Sequence, residues 1–172
     1  NPECPFEIIQ IGAVKLDSNL ETVGYFNYYI KPVIYKRIHP YVEKITGITQ
    51  EMLDSGHNFS EVYEALCDFA DPAEDIFCSW GSDDIKSLYR NIRYHKLKAS
   101  KIPDRYMNIQ SFATSYLKYE PGRSIGLKNA VELLNIKITS DFHNALNDAV
   151  YTAEVFKLVK PEVLVTERFK AS

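Results

Sequence analysis

The chain has 172 residues, 45% of them hydrophobic and 13% aromatic, with a formal net charge of −3. That length and composition suit one globular domain with a sizeable core, and no segment is low in complexity. The acidic balance argues against a broad, sequence-blind coating of nucleic acid, though not against an enzyme that grips a strand end. Apolar runs are short and broken by charge, so the sequence predicts neither a signal peptide nor a membrane partner. Cys4, Cys67 and Cys78 form no pair at metal-ligand spacing. That odd, sparse count fits reduced thiols in a soluble cytoplasmic protein.

In chain order, Glu7–Leu16 (EIIQIGAVKL) is an apolar, Ile/Val-rich run and predicts a buried strand. Asp17-Ser18-Asn19 is a turn signal, and Glu21–Lys31 alternates as the second arm of a hairpin until Pro32 ends it. Residues 38–55 predict short helical turns broken at Gly47 and Gly56, with Thr49 as an N-cap. A stronger helix capped by Ser60 carries Val62, Tyr63, Leu66, Phe69 and Ala70 at helical spacing. Asp75–Trp80 predicts a strand that stops at Gly81, followed by a helix to Tyr94 with Ile85, Leu88, Tyr89 and Ile92 inward. A fourth strand over Tyr106–Ile109, helices over Ser111–Tyr119 and Leu127–Leu134, and a last long helix over Asn144–Val159 complete the pattern. The fold class is therefore α/β, with an antiparallel start and crossover helices later. Ligands in such sheets sit beyond the carboxyl ends of strands, which points to the turn after Trp80.

Asp83 and Asp84 open a helix at that turn. An acid there can cap the helix, or it can project into a cleft. The last helix offers the other candidates. Asn144 is a natural N-cap, His143 precedes it, and Asp148 lies just inside. With Leu146, Ala149, Val150, Ala153 and Phe156 as the buried stripe, Asp148 falls about 120° from its centre, at the edge of the core face. Seven basic residues from Lys86 to Arg105 face one acid, Asp104. This stretch reads either as a solvated helix face or as a phosphate-tracking patch in which Tyr89, Tyr94 and Tyr106 stack on bases. No His or Cys pair has tetrahedral zinc spacing, so the carboxylates point to Mg²⁺ or Mn²⁺. No serine sits in a nucleophile elbow, and Gly122–Gly126 lacks the Lys of a phosphate loop.

Asp84 in Ser79-Trp80-Gly81-Ser82-Asp83-Asp84, together with His143 and Asp148 in His-Asn-Ala-Leu-Asn-Asp-Ala, resembles the second and third motifs of the DEDDh 3′–5′ exonucleases. The Trp-Gly-x-x-Asp form is nearest to the KapD-like branch of that RNase T/DnaQ-like group. Glu7–Val14, Lys44–Thr49 and Gly126–Ala130 fit the family in the same order, so the likeness covers nearly the whole chain. The resemblance implies an RNase H-like mixed sheet flanked by helices, and a two-metal mechanism acting on single-stranded RNA or DNA 3′ ends. It makes His143 the general base and Asp84 and Asp148 metal ligands, the cofactor being two Mg²⁺ or Mn²⁺ ions. Thr46, Gly47 and Ile48 would line the terminal-nucleotide pocket, Ile48 as an apolar surface against the base. Trp80 would either help shape that pocket or serve as a core tryptophan.

The family's first motif, Asp-x-Glu on a central first strand, does not occur in the sequence, and Glu3 does not replace it. Without that strand, Glu7–Leu16 would leave backbone groups unpaired at about 1–3 kcal/mol each, against a total stability of about 5–15 kcal/mol. The expectation is therefore a single exonuclease domain over 1–172 that is incomplete at its N-terminus. Two other readings compete: a non-catalytic nucleic-acid-binding domain descended from such an enzyme, and a hydrolase of small phosphodiesters such as oligoribonucleotides.

Overall fold

The computed structural model describes residues 1–169. β1 (Gln10–Leu16) and β2 (Thr22–Tyr29) form an antiparallel hairpin, with Gly12 opposite Asn27 and Gln10 opposite Tyr29. The Asp17 carboxylate closes the turn by accepting from Asn19 N and Glu21 N, both at 2.9 Å. β3 (Phe77–Ser79) runs parallel to β4 (Arg105–Asn108), and the two-residue strand β5 (Glu167–Arg168) pairs antiparallel with β4. The sheet is thus mixed, as the sequence implies, although β5 has no signal in the sequence.

Among the described residues seven α-helices surround these strands: α1 (Pro40–Thr46), α2 (Gln50–Asp54), α3 (Phe59–Phe69), α4 (Asp83–Tyr94), α5 (Ile109–Tyr116), α6 (Leu127–Leu133) and α7 (Ala145–Val159). Thr49 caps α2 as expected, its hydroxyl accepting from Met52 N. The cap of α3 is Asn58 rather than Ser60. Glu61 returns a bond to Asn58 N at 3.1 Å, so the helix begins two residues earlier.

Strand alternation divides the side chains between two cores. Ile11, Ala13, Phe26, Phe77 and Tyr106 pack with α3 and α4, whereas Met107, Ile109, Val131, Tyr151 and Val155 form a second core with α5, α6 and α7. On β1, positions 11 and 13 face the first core, so Gln10 and Gly12 face the other side, where α7 packs.

Among the described residues the strands fall into two separate sheets, β1-β2 and β3-β4-β5, and β1 is paired along one side only. Along its other side the chain is tied by a side chain. Asn91 of α4, fully buried, accepts from Ile8 N (3.2 Å) and donates to Phe6 O (3.1 Å). Those bonds replace ladder partners, which explains why the strand predicted from Glu7 starts only at Gln10. Glu7 instead orders the segment after β2, its carboxylate accepting from Val33 N, Ile34 N and Tyr35 N at 2.6–3.0 Å.

The buried face of α7 differs from the predicted stripe. Tyr151, Thr152, Val155, Phe156 and Val159 are buried, while Leu146, Ala149, Val150 and Ala153 are half-buried. The helix packs against β1 as well as against α5 and α6, so it is apolar on two sides, and the larger residues pack against the helices. Asp148 shares the face of Thr152, Val155 and Val159 at helical spacing, one turn beyond them toward the N-terminus.

Candidate active site

The candidate residues lie at two helix entrances. The first follows β3. The chain turns at Gly81, whose φ of +91° is open to glycine and strained for other residues. Gly81 N donates to Asn108 Oδ1 (3.2 Å), and the same oxygen accepts from Ser111 N to cap α5. One side chain thus ties together the carboxyl ends of the parallel strands β3 and β4. Ser82 makes no capping bond, and Asp83 and Asp84 fill the first turn of α4. Asp83 points into solvent and meets only Lys86, at 3.5 Å. Asp84 keeps contact with solvent, yet the protein around it raises its carboxyl above the usual range. Burial is the main cause, followed by the charges of Asp83 and Asp148. The influence of Asp148 puts the two acids within electrostatic range of each other.

The second entrance is that of α7. Asn144 Oδ1 accepts from Leu146 N (3.1 Å) and Asn147 N (3.3 Å). His143 is exposed and left-handed at φ +68°, a conformation costing about 1–2 kcal/mol in a non-glycine residue. Neighbouring bonds hold that turn. His143 N donates to Asp148 Oδ1 (3.1 Å), Asn147 Nδ2 to Asp141 O (3.0 Å), and Thr139 N and Ser140 N both donate to the Tyr151 hydroxyl. The Tyr151 ring stacks on Phe142 at 4.6 Å. Burial also raises the Asp148 carboxyl, opposed by the N–H and the charge of His143.

Both carboxyls are raised above the ordinary range, mainly by burial, so negative charge is held at cost at these two helix entrances. Their oxygen donors fit a hard divalent cation. Among the described residues no three His, Cys, Asp or Glu side chains gather as a metal cage.

The predicted pocket residues fare differently. Thr46, Gly47 and Ile48 lie at the α1–α2 junction, where the Thr46 hydroxyl donates to Val42 O and accepts from Ile48 N. Ile48 is 2% exposed. It is a core residue here, which corrects its expected role as an apolar surface against a base. Trp80 packs on the second core and donates its indole N–H to Ile125 O (3.2 Å), in keeping with the core alternative. The basic stretch is split. Lys101 pairs with Glu64, and Arg105 donates to Ala73 O and Glu74 O, while Arg90 and Arg93 face solvent. Tyr89 is 5% exposed and stacked on Phe169, so it cannot stack on a base.

Gln10 stands out only in the structure, where its Oε1 accepts from Ala145 N (3.2 Å) at the first turn of α7. The available signal was a polar side chain on an apolar strand.

A model of the RNase T exonuclease family matches residues 1–156. The chain belongs to this exonuclease family. Within it the relation is to the DEDDh 3′–5′ exonucleases and their KapD-like members. KapD of Bacillus subtilis (strain 168), described as a probable 3′–5′ exonuclease, is 26% identical over 166 residues, covering 95% of this chain and 78% of KapD. The PolC-type DNA polymerase III of Thermotoga maritima is 33% identical over 150 residues, 87% of this chain but 10% of the polymerase. Among solved structures, the nuclease domain of 3′hExo, a DEDDh family member bound to rAMP, superposes with a TM-score of 0.83 at 22% identity. That match covers 98% of this chain and 90% of the other and establishes the RNase H-like fold of this exonuclease-family domain.

Proposed function

We propose that this domain removes nucleotides from the 3′ ends of single-stranded RNA or DNA, with Asp84 and Asp148 as metal ligands and His143 as general base. The observation that carries the reading is the bond from His143 N to Asp148 Oδ1 (3.1 Å), with the Asp84 carboxyl raised in part by the charge of Asp148. Bound Mg²⁺ or Mn²⁺, two ions in the complete site, would supply Lewis-acid activation of a water and stabilise charge on the departing 3′ oxygen. The protein's own part is narrower. Asp148 Oδ1 receives the backbone N–H of His143, which ties the His143 backbone to the first turn of α7. An imidazole suits proton uptake near neutral pH, a contribution worth about 10²–10⁴-fold in rate. Thr46 and Gly47, beside the buried Ile48, remain the proposed border of the terminal-nucleotide pocket. The 3′hExo domain bound to rAMP supports a nucleotide 3′ end as the substrate.

The proposed two-metal mechanism needs two more carboxylates beside Asp84 and Asp148. A second reading, a nucleic-acid-binding domain without turnover, is favoured by the partial ligand set among the described residues. The single-domain organisation over 1–172 and a cytoplasmic location belong to the same proposal. The three unpaired cysteines support that location, and no described helix is long and apolar enough to cross a membrane.

One assay separates the two readings. A single strand labelled at its 3′ end is incubated with Mn²⁺, and with EDTA in parallel. Metal-dependent release of labelled mononucleotide supports the exonuclease, whereas retention of an intact strand that still binds the protein supports the binding domain.

A further inference from the structure

We propose that Gln10 is a positioning residue for the reaction: it moors the entrance of α7 to β1 and thereby fixes where His143 and Asp148 stand. The proposal rests on the reading of His143 as general base. Its first support is a hydrogen bond between residues 135 positions apart, Ala145 N to Gln10 Oε1 at 3.2 Å. Ala145 opens α7, and its N–H has no partner within the helix. Asn144 caps the next two N–H groups, so Gln10 completes the set from another element.

The second support is independent of that bond. Gly12 lies two residues along, on the same face of β1. A Cβ built there would stand 2.2 Å from Leu146 N, 2.4 Å from Ala145 C and 2.6 Å from Leu146 Cα. Those are backbone atoms that no rotamer change can move aside. The strand and the first turn of the helix are therefore in direct contact, and only a glycine at position 12 permits it.

The third support is the orientation of the Gln10 amide. A backbone N–H can only donate, so the Gln10 atom facing Ala145 must be the carbonyl oxygen. The Gln10 NH₂ then needs an acceptor on its other side, and Asn27 Oδ1 is there at 2.9 Å. Asn27 sits on β2 directly opposite Gly12, so it crosses the bare position to reach Gln10. Gln10, Gly12 and Asn27 thus form a seat for the turn that follows His143 and precedes Asp148. A seat made only for stability would not require a glycine and a turned amide at the one turn that carries both proposed active groups.

The test pairs amide exchange with kinetics on the full chain. In Gln10→Ala the Ala145 amide should exchange about fivefold faster than in the native protein, with Val155 unchanged. Gln10→Glu, which keeps the acceptor oxygen, should restore protection. With a 3′-labelled single strand and Mn²⁺, Gln10→Ala should lower kcat about tenfold and change KM less than twofold. The same substitution in a His143→Ala background should cost less than twofold, because the group it positions is gone. Asn27→Ala, which leaves β1 intact, should act in the same direction by about twofold and keeps the question open to test should Gln10→Ala not fold. Unchanged exchange at Ala145, or an equal rate loss with and without His143, overturns the proposal. If His143→Ala itself leaves the rate unchanged, the general-base reading fails, and the exchange result still decides the mooring.

Discussion

The two helix entrances that deliver Asp84 and Asp148 are built in opposite ways. At α7 the opening N–H groups are met by Gln10 and Asn144, and Asp148 reaches back to His143 N. At α4 the cap residue Ser82 makes no side-chain bond, and the first turn holds two acids. What fixes α4 lies before it: Gly81 in its left-handed turn, bonded to Asn108, with the Ser79 hydroxyl on Gly81 O at 2.6 Å. The contrast follows from what each entrance presents. α4 offers one carboxylate raised by its surroundings, Asp84, which a turn behind it can aim. α7 offers the proposed base and a carboxylate whose mutual geometry matters, and its anchors combine the local Asn144 and Asp148 with Gln10 of β1.

The largest expected effect falls on the more heavily anchored side. His143→Ala should leave the fold intact by circular dichroism and slow metal-dependent 3′-end hydrolysis by about 100-fold or more. Turnover near the native rate would remove His143 from the mechanism.

The capping contrast predicts a difference in stability. Asn144→Ala removes a cap worth about 1 kcal/mol, lowering Tm by about 2–4 °C. Ser82→Ala has no cap bond to lose and should move Tm by less than about 1 °C. Equal shifts in the two melts would erase the distinction between the entrances.

The smallest effect concerns charge. The carboxyls of Asp84 and Asp148 are both raised above their ordinary value, mainly by burial. The folded protein therefore holds these protons more tightly than the unfolded chain. Their contribution favours the fold at pH values below the ordinary carboxylate range and turns against it as pH rises through the raised values. In the absence of metal, Asp84→Asn should then melt higher than the native protein at pH 7, by less than about 3 °C because solvent screens this accessible group. The difference should vanish near pH 4, and a lower melting point at pH 7 would show that Asp84 is a structural acid.

How much of this was legible in the sequence depends on the range of each interaction. Asn144, Asp148 and His143 lie within six residues, so local spacing reveals their cap and their common helix entrance. The strand-to-helix turn at Gly81 is equally local. The seat under α7 is not, because Gln10 meets Ala145 only once β1 and the last helix have packed. Burial was the other blind spot. Ile48 looked accessible in a short loop between helical turns, yet it folds inward. The predicted stripe on α7 includes Phe156 but not Tyr151, Thr152, Val155 or Val159, because a helix apolar on two sides offers no single period to read. The start of β1 shifted because Asn91, 83 residues beyond Ile8, supplies the bond that a neighbouring strand would otherwise make.

The central claim is that Asp84 and Asp148 form one cation-holding site beside His143. It is tested most directly by the Mn²⁺-induced rise in melting temperature, which registers binding to the folded state without requiring turnover. The native protein and His143→Ala should both be stabilised by saturating Mn²⁺, and Asp84→Asn and Asp148→Asn should each lose most of that rise. A rise of the same size in all four proteins would contradict the account, because the ion would then be held somewhere other than between these two carboxylates.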